Sequence, residues 1–156
     1  MKLLIPAALI LVLTGACISS TAAYGYEYGS VKIFGKKTYK ASVIVADTIK
    51  EQELGLMFIR RLAPDKGLLM VLPRRSAEPA IWMKNMFIPL DVIFINGGKV
   101  VQLYKNIPPC RTKVCKIYFA DETINRILEL KSGVISRYGI KAGDKIKIRI
   151  TKNIVN

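Results

Sequence analysis

The sequence has no histidine at any of its 156 positions. Catalysis by a Ser-His-Asp or Cys-His arrangement is therefore excluded, because both arrangements use an imidazole as general base. The commonest protein ligand for zinc, copper and iron is missing as well, so we expect no metal or other cofactor. An enzyme built on this chain would depend on carboxylates, lysine, tyrosine or cysteine.

A long apolar run is also missing. The run at positions 3–13 is shorter than an ordinary membrane-spanning helix, which needs about 20 residues. Lys2 precedes it and small residues follow it, which is the layout of a secretory signal peptide. We interpret positions 1–23 as a leader that takes the chain out of the cytoplasm to the periplasm, the cell surface or the medium. Cleavage after Ala23, lipoprotein processing at Cys17 and retention as a membrane anchor are the alternatives.

Cysteine is scarce. Besides Cys17, the chain has Cys110 and Cys115, with four residues between them in a loop rich in proline and basic residues. In an exported chain this pattern predicts a disulfide, whose small ring contributes ~2 kcal/mol through chain entropy. A redox motif more often spaces its cysteines by two residues, and a zinc site needs two further ligands, so these are the weaker alternatives.

Acidic residues are few, and 11 of them against 25 basic residues give a formal net charge of +14. Such a charge favours anionic partners, of which an acidic envelope polymer or a lipid surface suits an exported protein better than nucleic acid does. The alternative is a solvated lysine face that maintains solubility. Its members would be Lys36, Lys37, Lys145, Lys147, Arg149 and Lys152.

The remaining chain predicts one domain made mostly of short strands. Positions 24–40 are interpreted as a tether and a first strand, and positions 41–153 as a single β-rich domain. Runs of β-branched, aromatic or alternating apolar residues mark the strands, and turn residues at 35–37 and 96–98 indicate two hairpins. The predicted strands are 31–34, 39–46, 68–72, 90–95, 99–104, 127–130 and 145–150. This pattern favours a mainly β fold, as a sandwich or compressed barrel with one or two short helices.

The first helix is predicted from a capping box, in which Thr48 and Glu51 precede a stop near Gly55. One or two further helical turns are expected within 134–140. The buried face predicted for the first helix and the residues after it consists of Leu54, Met57, Phe58 and Leu62.

The segment 82–95 sets polar groups among residues that otherwise predict a core strand. Strand alternation places Trp82 and Lys84 on one face and Met83 and Asn85 on the other. Pro89 interrupts regular pairing before the next strand. The chain can then return antiparallel and bring the Asp91 carboxylate near the face of Trp82 and Lys84.

This segment resembles the W-M-K-N-x-x-x-P-L-D-x-x-F signature of the family called domain of unknown function 192, and the resemblance extends over about 42–150. The family implies a jelly-roll-like β-sandwich with short helices, but no settled activity. The chain has Met70 and Met86 where members often have Phe and Thr. It also has Ile59 where they often have Arg, which weakens the assignment of a guanidinium to the site and leaves Arg60 as its candidate. The further matches are 45–48, 55–58, 62, 65–69, 109–110, 115, 128–130, 133 and 139–144.

The candidate ligand-binding residues combine an aromatic platform with polar groups, as sites for sugars or small acids often do. The alternative is a scaffold in which the Trp82 indole belongs to the core and the Asn85 amide caps a turn. In that scaffold Lys84 forms an ion pair with Asp91. For Glu129 a solvent-facing position on an edge strand is expected, although an inward carboxylate would join the site. The full candidate set is Trp82, Lys84, Asn85, Asp91, Glu129 and Arg60.

Three functions follow from these residues. The first is an exported protein that binds a small polar or saccharide ligand at Trp82. The second is a structural or accessory envelope protein that contacts an anionic polymer or lipid. The third is a carboxylate-based hydrolase that uses Asp91 and Glu129 as acid and base, which requires their carboxyl groups to lie about 5 to 9.5 Å apart across one cleft.

Overall fold

The computed structural model describes residues 27–73 and 79–151. The leader with Cys17, the start of the tether and Lys152 lie outside the described residues. Within them, strands dominate and both helices are short. The elements are β1 (Glu27–Phe34), β2 (Thr38–Ala46), α1 (Ile49–Leu54), β3 (Lys66–Val71), β4 (Ala80–Trp82), β5 (Leu90–Asn96), β6 (Lys99–Ile107), β7 (Ile117–Phe119), β8 (Arg126–Lys131), α2 (Val134–Tyr138) and β9 (Ile146–Thr151).

Seven strands form one sheet in the order β6-β5-β8-β3-β2-β1-β9, and β4 pairs with β7 in a small second sheet. The main sheet is antiparallel except between β2 and β3, whose connection contains α1. It curls into a half-barrel whose edge strands approach each other. The Val100 N–H donates to the Asp144 carbonyl over 2.9 Å, and the Ile146 N–H donates to the Gly98 carbonyl over 2.8 Å. The predicted mainly β fold is therefore confirmed.

The main sheet carries a hydrophobic core on each face. The inner core takes side chains from both edges of the half-barrel and from α2, and includes Ile33, Ile93 and Val134. The outer core lies over β3, β5 and β8, where α1, the residues after it and the small second sheet cover Met70 and Phe94. β3, β5 and β8 are consequently buried on both faces, which explains their nearly continuous apolar sequences.

Local sequence signals agree with most elements. Both predicted hairpins form, the capping box at Thr48 and Glu51 is present, and α2 lies within 134–140. The first strand starts earlier than predicted, at Glu27, because it pairs with β9 as well as with β2.

Two local predictions are wrong. Leu54 and Phe58, assigned to a buried face, are largely exposed, because the short helix covers the sheet mainly through the residues that follow it. The strand expected at Trp82 ends there, so 83–89 form a loop, and its partner β7 has no clear signal in the sequence.

The predicted disulfide between Cys110 and Cys115 is present, with the two Cα atoms 5.6 Å apart. The Cys110 N–H donates to the carbonyl of Met83 over 2.9 Å. The closed loop therefore packs against the segment that follows Trp82. In the part of the chain described, no helix is long and apolar enough to cross a membrane.

Candidate functional site

A cavity of about 490 Å³ lies between the outer face of the main sheet and the layer that covers it. Its walls come from α1 and the turn after it, from β3 and β8, and from the small second sheet. The lining residues are mostly apolar. They include Leu56, Met57, Met70, Ile81, Met86 and Ile127.

Glu129 is the buried polar group of this cavity, with 5% of its surface exposed. The expected solvent-facing position on an edge strand is wrong, because β8 pairs on both sides, with β3 and with β5. The Leu56 backbone N–H donates a hydrogen bond to the carboxyl group. Its Oε2 atom has no hydrogen-bond partner among the described residues. One oxygen of a residue that lines the cavity is thus buried without a hydrogen-bond partner among the described residues.

Burial raises the pKa of the Glu129 carboxyl to about 7. Removal of water from around a carboxylate disfavours its charged form, and the single backbone hydrogen bond offsets this only in part. The group can therefore accept a hydrogen bond as a carboxylate or donate one as a neutral acid near neutral pH.

The turn after α1 brings the backbone close to this carboxyl. Gly55 has φ +49°, and a Cβ atom on it would lie 3.6 Å from Oε2 of Glu129 and 3.5 Å from Cε of Met70. Glycine adopts this conformation without the strain that a side chain would add. The side-chain amide of Gln52 also faces the cavity, but it donates to the carbonyls of Ala46 and Val71 and so holds α1 on the sheet.

The mouth of the cavity exposes apolar side chains. Ile49 is 72% exposed and Trp82 is 47% exposed. Leu54 and Ile117 are exposed to about the same extent as Trp82. Isolated exposed apolar residues are ordinary, but a group of them around one opening is typical of a binding site.

Lys84 lies in the turn after β4 and not on the strand, and its Nζ atom is 5.1 Å from the centroid of the Trp82 indole ring. The indole lines the cavity mouth, whereas the ammonium lies outside the lining. Cation–π contacts at exposed positions contribute about 0.5 to 1 kcal/mol. Lys84 thus contacts the indole without lining the cavity.

Asn85 and Arg60 support the covering layer rather than the cavity. Asn85 has φ +57°, and its carbonyl accepts a hydrogen bond from the N–H of Phe58 over 3.1 Å. The guanidinium carbon of Arg60 lies 4.7 Å from the ring centroid of Phe87. Both contacts join the turn after α1 to the loop after Trp82.

Asp91 is buried on the other side of the sheet, where 1% of its surface is exposed. Its carboxylate accepts hydrogen bonds from the backbone N–H groups of Asn106 (2.8 Å) and Ile135 (2.7 Å). It does not pair with Lys84, since the ion pair found in residues 27–73 and 79–151 joins Lys141 and Asp144. The expected approach of Asp91 to the indole is therefore not observed.

The strand register places Asp91 and Glu129 on opposite faces of the sheet. Val92 lies directly opposite Glu129 on β8, and successive side chains of a strand point to opposite faces. Val92 belongs to the outer core. Ile93 belongs to the inner core, and it points to the same face as Asp91 because the two residues are two positions apart on β5. The two carboxyl groups consequently do not flank one cleft, as an acid and base pair would have to do.

The cavity unites two of the predicted residues, Trp82 and Glu129, with lining residues that sequence reasoning missed. The turn at 55–57 and the strand β7 are the main omissions. A signal for the buried carboxyl was present, because Glu129 stands in the apolar run 127–130, and a strand without polar alternation is typical of burial on both faces. No group of three or more acidic or cysteine residues suited to a metal ion occurs in the part of the chain that the structure describes.

Comparison with known proteins relates the chain to uncharacterised ones. The model of the DUF192 family, described as "Uncharacterized ACR", matches residues 31–148. None of the curated proteins matches. A solved structure from Sinorhizobium meliloti, described as a candidate transcription regulator, is similar with a TM-score of 0.71 and 29% identity, over 79% of this chain and 95% of that one. A protein of unknown function from Novosphingobium aromaticivorans has a TM-score of 0.69 and 29% identity, over 76% and 83% of the two chains.

Proposed function

Because the chain belongs to the DUF192 family, whose members have no assigned activity, we propose its function from the cavity itself: an exported protein that binds a small amphiphilic ligand. The apolar body of the ligand fills the cavity beneath Trp82, and one polar group reaches Glu129. Export rests on the leader pattern at positions 1–23.

The observation that carries this proposal is the buried Oε2 atom of Glu129, which has no hydrogen-bond partner among the described residues. An unsatisfied buried polar atom costs about 1 to 3 kcal/mol, and more if it is charged. A ligand that donates a hydrogen bond to this oxygen removes the cost. This hydrogen bond contributes to the binding free energy in addition to contact with the apolar lining. The volume also suits a small ligand, since such sites usually measure about 300 to 1,000 Å³.

The chemistry of the lining favours an amphiphile over a saccharide. A sugar carries hydroxyl groups around its whole ring, and most of them would face apolar side chains in this cavity without a partner. An alkyl chain that ends in an ammonium or a hydroxyl group has a single polar end, which matches the single free oxygen. The saccharide expected from Trp82, Lys84, Asn85 and Asp91 is therefore the weaker ligand class.

The test uses Trp82, the one tryptophan of the chain, as a fluorescent reporter at the cavity mouth. Decylamine, decanol and glucose are titrated into the full chain at about pH 8, where most of the Glu129 carboxyl is ionised. We expect the emission of Trp82 to respond to decylamine and decanol. We expect Glu129→Gln to weaken decylamine binding about tenfold or more, because a hydrogen bond to a charged group contributes about 1.5 to 3 kcal/mol.

Glu122→Gln is the matched control, because Glu122 is exposed and does not line the cavity. It should bind decylamine like the unaltered protein, and circular dichroism should show that both variants are folded. Unchanged emission with both alkyl probes would rule the proposal out. A response to glucose that depends on Lys84 and Asn85 would support the saccharide site instead.

A further inference from the structure

A second surface, on the opposite edge of the sheet from β6, carries a concentrated positive charge. We call it the cationic face and define it by Lys32 on β1, Lys40 on β2, and Lys147 and Arg149 on β9. These side chains line a shallow groove of about 550 Å³ together with Ser30, Ser42 and Asp65.

The strand register places the cations of this face in rows. Lys32 lies directly opposite Lys40 on one side and Lys147 on the other. Ser30, two residues earlier on β1, lies between Ser42 and Arg149 in the same way. Like charges directly opposite each other destabilise a sheet, so three neighbouring lysines in one row need an explanation beyond solubility.

No carboxylate of the described residues forms an ion pair with these cations, and Asp65 is the single acidic residue among them that lines the groove. The ammonium groups of Lys32 and Lys147 instead share one aromatic ring, with distances of 4.9 and 5.9 Å to the centroid of Phe34. The repulsion among the lysines is thus left for an external anion to relieve.

We propose that the cationic face docks on the phosphate-bearing headgroups of an anionic lipid bilayer. The row extends over three strands, and strands lie about 4.8 Å apart, so its charges spread over roughly 10 Å instead of converging on a single phosphate. A broad and open array of this kind suits several headgroups side by side better than one soluble anion.

The position of the face in the chain supports a membrane as the partner. Glu27, where β1 begins, is ten residues after Cys17, the candidate lipidation site, so an anchored leader would keep β1 beside the bilayer. Tyr28 is exposed, and it lies on the same face of β1 as Lys32 because the two residues are four positions apart. Tyrosine favours the boundary between water and lipid. The inference is independent of the cavity but rests on the proposed export.

The test measures binding of the full chain to two kinds of vesicle, one of phosphatidylcholine and one of equal parts phosphatidylcholine and phosphatidylglycerol. Any apolar contribution of the leader is present on both kinds, so the ratio of the two partition coefficients reports the charge effect. We expect the ratio to exceed ten for the unaltered chain. The double variant Lys32→Glu/Lys147→Glu should lower it at least tenfold.

Lys113→Glu/Lys131→Glu is the matched control, because it changes the net charge equally at exposed lysines away from the groove. It should keep most of the preference for phosphatidylglycerol. An equal loss in both double variants would show a dependence on net charge alone and would overturn the proposal. Face-dependent binding of inorganic phosphate or of a single-stranded DNA oligonucleotide, without binding to the anionic vesicles, would also overturn it.

Discussion

Two buried carboxyl groups on neighbouring strands differ in what their oxygens bind. Asp91 accepts hydrogen bonds from two backbone N–H groups, one of them in the first turn of α2, so its charge is compensated within the fold. Glu129 has one backbone donor, and its buried Oε2 atom has no partner among the described residues. At the scale of single residues, Asp91 therefore stabilises the fold, whereas the unsatisfied oxygen of Glu129 costs stability, which the proposed ligand would offset.

The raised pKa of Glu129 predicts how stability depends on pH. The folded protein has a pKa of about 7 at this group against an ordinary value of 4.5, so the folded state binds the proton more tightly than the unfolded state. This group's contribution to the free energy of unfolding is greatest below about pH 4.5 and is lost as the pH rises through about 7, by on the order of 3 kcal/mol. Glu129→Gln should remove that loss. Urea unfolding at about pH 5 and about pH 8 measures it.

Glu53 is the other titratable residue that lines the cavity, and it is exposed. The pH dependence of the free energy of unfolding is therefore assigned to Glu129. Glu122→Gln should keep the pH dependence of the unaltered protein. If Glu129→Gln follows the same pH dependence as that control, the buried carboxyl is not the group that titrates.

At the scale of elements, the pairing of β3 with β8 holds Glu129 beneath α1. Gly67 lies opposite Leu130 in this pair, and a Cβ atom on Gly67 would lie 2.5 Å from the carbonyl oxygen of Glu129 and 2.7 Å from Cδ2 of Leu130. Neither strand can move away easily, because each also pairs on its other side. Glycine is thus required here by the close approach of two strands.

Gly67→Ala should lower the free energy of unfolding by about 3 kcal/mol, because the strands must separate to admit one methyl group. Gly97→Ala is a useful comparison, since nothing lies within 4 Å of its added Cβ and only the positive φ of +54° opposes it. A loss of about 1 kcal/mol is expected there. Equal losses in the two variants, measured by urea unfolding, would contradict the steric explanation.

At the scale of the whole molecule, a net charge of +14 predicts that the folded state is destabilised by repulsion among its own charges. Salt screens this repulsion, so the melting temperature should rise by on the order of 3 °C between about 0.01 M and about 0.15 M sodium chloride. Lys32→Glu should reduce this rise more than Lys113→Glu does, because Lys32 lies between two lysines. A melting temperature that falls with salt would contradict the prediction.

Local chemistry was sufficient to predict most elements of this protein. The turns at 35–37 and 96–98, the capping box at Thr48 and the alternation of β9 each depend on residues close together in the chain. The disulfide is similarly local. Predictions at this range are confirmed because backbone geometry and side-chain spacing determine them without reference to distant strands.

The sequence by itself thus determined most of the strands, the turns and the family. The tertiary structure decided the candidate site, because β8 enters the sheet between β5 and β3 and brings Glu129 under a helix more than seventy positions earlier in the chain. The same pairing turned Asp91 to the other face, since adjacent positions on a strand point in opposite directions. A strand's own residues set which side chains share a face, but its partners decide which face is buried and what lies over it.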